Sequence, residues 1–346
     1  MPPTTILITS ASGNIGRELI PLLLTTTTAT LVLPTSSSTR LRSTLELAPE
    51  GEASSSSSSN NNDRIITPEG SISDPLWLEE ITRTHNVSSI FLNVGGQDEL
   101  FTTIGALESF ARAPSVEHVT YLSAAGDFTS PDGVRESMAR WGGCANVVVK
   151  LAVEARLAHG WNGGNAGTAA GFKWSVVGPT LFFENDVRTP EILVGEGFMP
   201  EPLGEKGVSR VSCADVARVV ARCIDDGGER LAGRKVNVGS LRRFTGREIE
   251  NLWTASLGRE VIMWKGDEDG LRAYEKHWEE IIGGVAGRAV GRDLSCMARG
   301  WVQAGFGLSE DEYRFCRAVL GKETDDYEAW VAEAGRKLRE EKVGGQ

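Results

Sequence analysis

The chain has 346 residues, of which 40% are hydrophobic and 24% charged, and its formal net charge is −11. This balance is typical of a globular protein with its own core, and the length suits about two domains of roughly 150 residues each. The acidic charge argues against nucleic acid or an anionic membrane surface as a partner, because both bind clustered Lys and Arg side chains.

The cysteines and histidines give no sign of a disulfide framework or a metal site. The five cysteines lack Cys-x-x-Cys spacing, and the four histidines lie far apart in the sequence. This usage predicts reduced thiols in a cytoplasmic protein without a bound metal. The first residues lack the basic segment of a secretory signal, and no apolar run approaches the roughly 18 residues of a membrane span.

Strands and helices are predicted to alternate along most of the chain. The first strand is predicted at 4–9, before a glycine turn and an apolar helix, and the polar, low-complexity segment 49–63 is interpreted as a surface insertion. Later elements include a helix at 144–160, a capped helix at 209–226 and further strands at 29–34, 64–70, 87–96, 116–126 and 172–185. This alternation predicts an α/β fold, a Rossmann-type doubly wound parallel sheet with right-handed crossovers.

Two regions are predicted from the change in this rhythm. Residues 1–182, with a contribution from about 208–240, are predicted to form the nucleotide-binding domain. Residues 183–207 and 241–346 are predicted to form a smaller, helix-rich region that covers the substrate. The late tryptophans are interpreted either as the core of this region or as the wall of an apolar substrate pocket, and they are Trp253, Trp264, Trp278, Trp301 and Trp330.

The glycine turn after the first strand is the main functional signal. Ser10, Gly13 and Gly16 follow one another at three-residue spacing, so a serine takes the place of the first glycine of the usual fingerprint. Between a strand and a helix, such a turn brings backbone N–H groups to a pyrophosphate. We expect serine to be accepted if its φ is negative. The predicted cofactor contacts here are Ser10, Ser12, Gly13, Asn14 and Ile15; the alternative is a tight turn without a ligand.

The end of the second strand predicts which nucleotide is bound. An NAD site usually has Asp or Glu here to accept from the ribose 2′-hydroxyl, but the segment 31–43 contains no carboxylate. Thr35, Ser36 and Arg40 are instead suited to donate hydrogen bonds to a 2′-phosphate. The sequence therefore favours NADP(H), with an ordinary polar loop as the alternative.

Several segments, in their order along the chain, resemble the NmrA-like family of atypical short-chain dehydrogenases/reductases. They are "ILITSASGNIGRELIPLLL", "FLNVGG", "HVTYLSAAG", "VVVKLAVEARL" and "WSVVGPTLFFEN". The resemblance implies an N-terminal Rossmann domain that binds NADP(H) and a smaller C-terminal domain that closes a cleft. Members of the family include reductases, enzymes of fungal specialised metabolism and dinucleotide-sensing regulators.

The resemblance also assigns site residues. In the wider superfamily a Tyr-x-x-x-Lys pair on one helical face drives the chemistry; Lys150 occupies the lysine position here, but Asn146 replaces the tyrosine. The usual Ser-Ser is Ser123-Ala124, so Ser123 and Lys150 are the catalytic candidates, although Lys150 is also interpretable as an ordinary exposed lysine. Further cofactor contacts are predicted at the strand ends, where ligands bind in open sheets: Asn93, Val94, Gly95, Ser123, Ala124, Pro179, Thr180 and Phe182. Lys150, on the helix predicted at 144–160, is a further predicted cofactor contact.

The predicted function is that of an NADP(H)-dependent oxidoreductase acting on a small organic molecule of specialised metabolism. The missing tyrosine leaves two alternatives, a redox-assisted cyclase or isomerase and a non-catalytic NADP(H) sensor that binds a protein partner. A Rossmann scaffold without a nucleotide is a third, based on Ser10. The sequence leaves monomer and homodimer equally open.

Overall fold

The computed structural model describes residues 4–47, 63–95, 98–141, 143–159, 171–225, 227–281 and 288–344. The predicted insertion 49–63, apart from Asp63, lies outside these ranges, as does Gly160, the predicted end of a helix. Within the described ranges, no helix is long and apolar enough to cross a membrane. The same ranges contain no group of three or more His, Cys, Asp or Glu residues suited to a metal ion.

A seven-stranded sheet forms the centre of the Rossmann-type fold, as predicted. Its strands are β1 Thr5–Ile8, β2 Thr30–Val32, β3 Ile65–Ile66, β4 Ser89–Leu92, β5 His118–Leu122, β6 Lys173–Pro179 and β10 Arg234–Val238, in the order β10-β6-β5-β4-β1-β2-β3. Neighbouring strands from β3 to β6 pair in parallel. The chain runs outward from β1 through β2 to β3 and then returns to β4 on the other side, so the topological switch point lies between β1 and β4.

The strands form at these positions because their side chains are apolar on both faces. Ile6, Leu7 and Ile8 are fully buried, which is the pattern of a parallel strand covered by helices on each side. The helices between the strands are α1 Asn14–Thr26, α2 Ser38–Thr44, α3 Pro75–Thr84, α4 Glu99–Ala111, α5 Pro131–Trp141 and α6 Ala145–His159. At the start of α3 the Asp74 carboxylate accepts the N–H groups of Leu76 and Trp77, the cap that the Asp-Pro pair predicts.

The later part of the chain is mainly helical. It contains α7 Pro190–Glu196, α8 Cys213–Ile224, α9 Gly246–Leu257, α10 Glu268–Ile281, α11 Arg288–Ala304, α12 Glu310–Leu320 and α13 Tyr327–Gly344. A 3₁₀ turn covers Phe183–Val187, and the short strands are β7 Leu181–Phe182, β8 Phe198–Met199, β9 Val208–Val211, β11 Arg243–Phe244 and β12 Ile262–Met263. They form two small sheets, β11-β9-β7 and β12-β8.

Two predicted elements have different bounds in the structure. The single strand predicted at 172–185 is divided, because β6 ends at Pro179 and Leu181–Phe182 joins a different sheet with β9. The helix predicted from 209 begins only at Cys213, since residues 208–211 pair with β7 and β11 as a strand. In both cases pairing with a distant strand overrides the local pattern.

The chain forms two compact units. The first comprises Met1–Ser123, Ala152–Gly178 and Val216–Val236, and the second comprises Ala124–Leu151, Pro179–Asp215 and Asn237–Gln346. In the second unit Trp253, Trp278 and Trp301 are buried in the main apolar cluster, and Trp264 and Trp330 pack against it. Trp253, Trp278 and Trp301 therefore belong to the core of that unit, whereas Trp264 also lines a cavity of about 430 Å³.

Candidate dinucleotide site

Hydrogen bonds tie the ends of β1 and β4 together at the switch point of the sheet. The hydroxyls of Thr9 and Ser10 both donate to the Asn93 carbonyl, at 2.8 and 2.9 Å. The Asn93 N–H in turn donates to Thr9 Oγ1 at 2.7 Å. The turn that follows β1 is thus fixed to the neighbouring strand at the sheet edge where ligands of this fold bind.

Ser10 adopts a backbone conformation that usually requires glycine. Its φ is +54°, in the left-handed region, so the negative φ under which serine was expected to be accepted is not the one observed. The conformation closes the turn, since the Gly13 N–H donates to the Ser10 carbonyl at 3.0 Å. A serine in this region costs about 1–2 kcal/mol, which its hydroxyl bond to Asn93 partly offsets.

The two remaining glycines shape the start of α1. Gly13 is the N-cap residue, and a Cβ on it would lie 3.2 Å from the Ser10 carbonyl oxygen. Gly16 is closer still, because a Cβ there would lie 2.3 Å from the carbonyl oxygen of Ala11. Only glycine allows α1 to pack this tightly against the turn.

The N-terminus of α1 is open to an anion. The structure describes every residue of α1 and of the turn before it. There, no side chain caps the helix, and the first helical turn carries no acidic residue. The N–H groups of Asn14, Ile15 and Gly16 have no partner within the helix, and the helix dipole adds a positive potential. The Ile15 side chain is buried, so the residue can contact a ligand only through its backbone.

A cavity of about 360 Å³ lies beside this turn, and all of its walls belong to the first unit. It is lined by Ser10, Ala11, Ser12, Arg17, Pro34, Thr35, Ser36, Arg40, Leu41 and Thr44. Of these described lining residues, two carry guanidinium groups, five carry hydroxyls and none carries a carboxylate. The cavity therefore favours an anionic ligand over a neutral one.

Hydrogen bonds to the walls hold both arginines at the cavity. Arg40 Nη2 donates to the Ser36 hydroxyl at 2.9 Å, and Arg17 Nε donates to the Ser12 carbonyl at 3.1 Å. Arg17 is not among the residues predicted from the sequence. The sequence could have indicated Arg17, because it directly follows Gly16 in the first turn of α1, and that turn is predicted to bind the phosphates.

Two other polar groups near the cavity already make hydrogen bonds within the protein. The Thr35 hydroxyl donates to the Ser37 carbonyl at 3.1 Å, which makes its predicted role at a phosphate compete with a local turn. The Glu69 carboxylate, beside Thr35 in a β-bridge, accepts the Ser38 N–H at 2.6 Å and so satisfies the start of α2. Glu69 is the acid next to the site, and it is not one of the lining residues.

Ser123, at the end of β5, is bonded to a buried carboxylate. Its hydroxyl donates to Glu154 Oε1, and Lys235 Nζ donates to the same oxygen at 2.6 Å. Glu154 is only 1% exposed. The sequence predicted a role for Ser123 but neither of these partners, because Lys235 is 81 residues from Glu154 along the chain.

The other predicted contacts fall into two groups. In the first unit Val94 is buried in the core, whereas a Cβ on Gly95 would meet open space. The rest belong to the second unit, where their contact with a cofactor stays a prediction: Ala124, Lys150, Pro179, Thr180 and Phe182. Lys150 is half-buried in α6, and the Thr180 hydroxyl accepts a hydrogen bond from Ser209 at 3.2 Å.

Asn146, which stands where the resemblance leads us to expect a tyrosine, has a structural role. Its side-chain amide donates to the Asp293 carboxylate, and its N–H donates to the same group at 3.1 Å. Asp293 also accepts the Ala145 N–H, so an acid from α11 caps α6. The neighbouring Cys144 is buried, which with Asp293 raises its thiol pKa to about 12 and keeps it protonated.

No protein-family model matches the chain, and no curated protein matches it either. Solved structures share its fold over nearly its whole length. An Escherichia coli NADPH-dependent quinone oxidoreductase complexed with NADPH has a TM-score of 0.67 at 15% identity, covering 96% of this chain and 99% of its own. A Citrobacter triphenylmethane reductase complexed with NADP(H) has a TM-score of 0.66 at 14% identity and the same coverage. A Staphylococcus aureus nucleoside-diphosphate-sugar epimerase has a TM-score of 0.66 at 10% identity, covering 95% and 99%.

Proposed function

We propose that this protein binds NADP(H) at the β1–α1 turn and uses it to reduce a small organic molecule. The observation that carries the proposal is the cavity at that turn, which Arg17 and Arg40 line beside the uncapped start of α1 and in which no described lining residue is acidic. A diphosphate would accept from the N–H groups of α1, and a 2′-phosphate would pair with the guanidinium groups.

The charge of the cavity favours NADP(H) over NAD(H). An NAD site places a carboxylate against the ribose 2′-hydroxyl, whereas here Arg40 and Ser36 form a hydrogen-bonded pair at the corresponding strand end. Two of the similar structures were determined with NADPH or NADP(H). Because they are distant in sequence and an epimerase shares the same fold, the choice of nucleotide rests on the site itself.

The reduction class follows from the residues of the site. When bound, the nucleotide would supply a hydride to the substrate. The superfamily's tyrosine acid is replaced by Asn146, which has no titratable proton and donates to Asp293. This position therefore supplies no acid, and the site suits acceptors such as quinones and conjugated alkenes, whose reduced anions are stabilised by conjugation until a proton arrives from another group.

The remaining parts of the proposal rest on the sequence. The order of the motifs favours the NmrA-like branch of the superfamily and a substrate of specialised metabolism. All five cysteines are free, which agrees with a reducing compartment such as the cytoplasm. Redox-assisted cyclisation or isomerisation uses the same cofactor site and differs only in the fate of the reduced substrate.

A second candidate function is a non-catalytic NADP(H) sensor. The observation in its favour is that Asn146 is held by Asp293 as part of a helix cap, so this position offers no proton donor. A sensor would bind the nucleotide with the same arginines. It would differ from the reductase only in lacking turnover.

Binding is tested by titration of the purified protein with NADPH and with NADH, followed by nicotinamide fluorescence. We expect Arg40→Ala and Arg17→Ala each to weaken NADPH by about tenfold to a hundredfold, because a charged hydrogen bond contributes about 1.5–3 kcal/mol. NADH should change by no more than about twofold. Arg112→Ala, an exposed arginine on the first unit that does not line the cavity, is the matched control and should bind both nucleotides like the wild type.

The titration has outcomes that refute the proposal. If both nucleotides lose affinity equally, Arg17 and Arg40 do not bind the 2′-phosphate. A wild-type protein that binds neither nucleotide would refute the cofactor site altogether. NADPH oxidation with a panel of quinones then separates the two candidates. Turnover supports the reductase, and tight binding without turnover supports the sensor.

A further inference from the structure

The first unit contains a buried chain of hydrogen-bonded polar groups outside the lining of the cavity at the β1–α1 turn. It runs from Ser123 at the carboxyl end of β5, through Glu154 in α6, to Lys235 in β10. Both donors share one oxygen, Glu154 Oε1. The Glu154 side chain is 1% exposed and that of Lys235 is 15% exposed, so the chain connects a buried hydroxyl with the solvent side of the unit.

Stability alone is a weak explanation for this arrangement. A buried carboxylate loses several kcal/mol of solvation, and replacing a buried ion pair by apolar residues is often neutral or stabilising. Tyr121, in β5 two residues before Ser123, lies close enough to Glu99 and Glu154 to interact with both carboxylates. Burial and these two carboxylates raise the pKa of Tyr121, so its phenol stays protonated and is unsuited as an acid.

We propose that Lys235 and Glu154 form a proton relay that supplies Ser123, and that Ser123 is the proton donor to the substrate in place of the missing tyrosine. This inference rests on the proposed reductase function. The carboxyl ends of parallel strands are where substrates bind in this fold, which places the Ser123 hydroxyl at the reacting edge of β5. Lys235 and Glu154 act through Ser123 and are positioning and relay residues.

The proton balance of the relay is complete. After hydride addition the substrate oxyanion takes the hydroxyl proton of Ser123, whose Oγ takes a proton from Glu154 Oε1. Glu154 receives that proton from the Lys235 ammonium, and the neutral amine is protonated again by water. One proton passes from solvent to substrate, and no electrons move except those of the hydride. Both bonds end on Glu154 Oε1, so the carboxylate takes the proton of Lys235 and passes a proton to Ser123 once the new O–H has turned about its C–O bond.

Lys235→Arg separates a relay from a structural ion pair. Arginine keeps the positive charge beside Glu154, but its guanidinium does not release a proton in proteins. A structural role predicts near-normal activity for this variant, whereas the relay predicts a loss of kcat. Lys173→Arg is the matched control, because Lys173 on the adjacent strand β6 forms a surface ion pair with Glu229.

The assay is NADPH-dependent reduction of 2-methyl-1,4-naphthoquinone between about pH 5.5 and about pH 9 in H₂O and D₂O, since hydride addition to this quinone leaves an oxyanion. We expect Lys235→Arg and Glu154→Gln to lower kcat by about tenfold or more, a range typical of lost proton transfer, with the Kd for NADPH unchanged. In both variants the solvent isotope effect on kcat should be larger than in the wild type. The dependence of kcat on pH should be weaker. Lys173→Arg should match the wild type in each measurement.

Folding and function can be told apart in this design. Thermal unfolding checks each variant, and the doubly neutral variant with Glu154→Gln and Lys235→Met avoids an unpaired buried charge. A Lys235→Arg variant with wild-type kcat and pH profile would overturn the relay while leaving the reductase intact. A wild-type protein that binds NADPH but does not reduce the quinone would overturn the reductase, and the relay with it.

Discussion

Glu201 is a buried acid whose replacement by glutamine is expected to stabilise the protein at alkaline pH. It is 8% exposed, and its Oε2 has no hydrogen-bond partner among the described residues. Burial raises its pKa from 4.5 to about 7, although Arg188 and Arg210 lower it, and Asp186 adds to the increase. The folded protein therefore prefers the neutral acid, while the unfolded chain prefers the carboxylate.

The magnitude follows from this difference in pKa. Its effect on the free energy of unfolding is roughly 3 kcal/mol, since each unit of pKa corresponds to about 1.36 kcal/mol. The folded pKa is the higher one, so the contribution to stability is fully present below about pH 4.5 and is lost as the pH rises through about 7. Glutamine is neutral throughout and does not suffer this loss.

Urea denaturation followed by the fluorescence of the core tryptophans measures the effect at about pH 5 and about pH 8.5. Glu201→Gln should be more stable than the wild type by roughly 3 kcal/mol at the higher pH and by no more than about 1 kcal/mol at the lower. Glu205→Gln, on the exposed side of the same loop, is the control and should change stability by less than about 0.5 kcal/mol. If Glu201→Gln and the wild type lose stability in parallel with pH, the assigned burial of Glu201 is wrong.

Three further substitutions test the contacts that shape the turn and the helix cap. Gly16→Ala should weaken NADPH binding by at least about tenfold in a fluorescence titration, because the new Cβ would lie 2.3 Å from the Ala11 carbonyl oxygen. Unchanged affinity would contradict this packing. Ser10→Gly removes the left-handed strain but also a hydrogen bond, so NADPH affinity should stay within about twofold, and a tenfold loss would give the Ser10 hydroxyl a direct role at the nucleotide. Asp293→Ala should lower the free energy of unfolding by about 1–2 kcal/mol in urea, because the first N–H groups of α6 lose their acceptor, whereas Asp293→Asn should recover most of the loss.

The sequence predicts best where local pattern and environment agree. The run of β-branched residues at β1, the glycines after it and the apolar face of α1 predict the strand, turn and helix of the site, because each depends on neighbours in the chain. The φ of Ser10 could not be predicted in this way, since its hydroxyl bonds to Asn93, 83 residues away. The same holds for the partners of Ser123 and for the strand at 208–211, which pairing rather than hydrophobic spacing determines.

The hydrogen bonds among Thr9, Ser10 and Asn93 fix the turn after β1, the proposed binding site of the nucleotide phosphates, without help from a ligand. A ligand that docks on a prearranged loop does not have to supply the conformational entropy of ordering it, which can amount to about 1–2 kcal/mol for each backbone residue. Nucleotide binding at this turn should consequently occur in a single step, with a dissociation rate set by the arginine contacts. In rapid-mixing experiments the binding signal should fit one exponential, and the observed rate should increase linearly with nucleotide concentration.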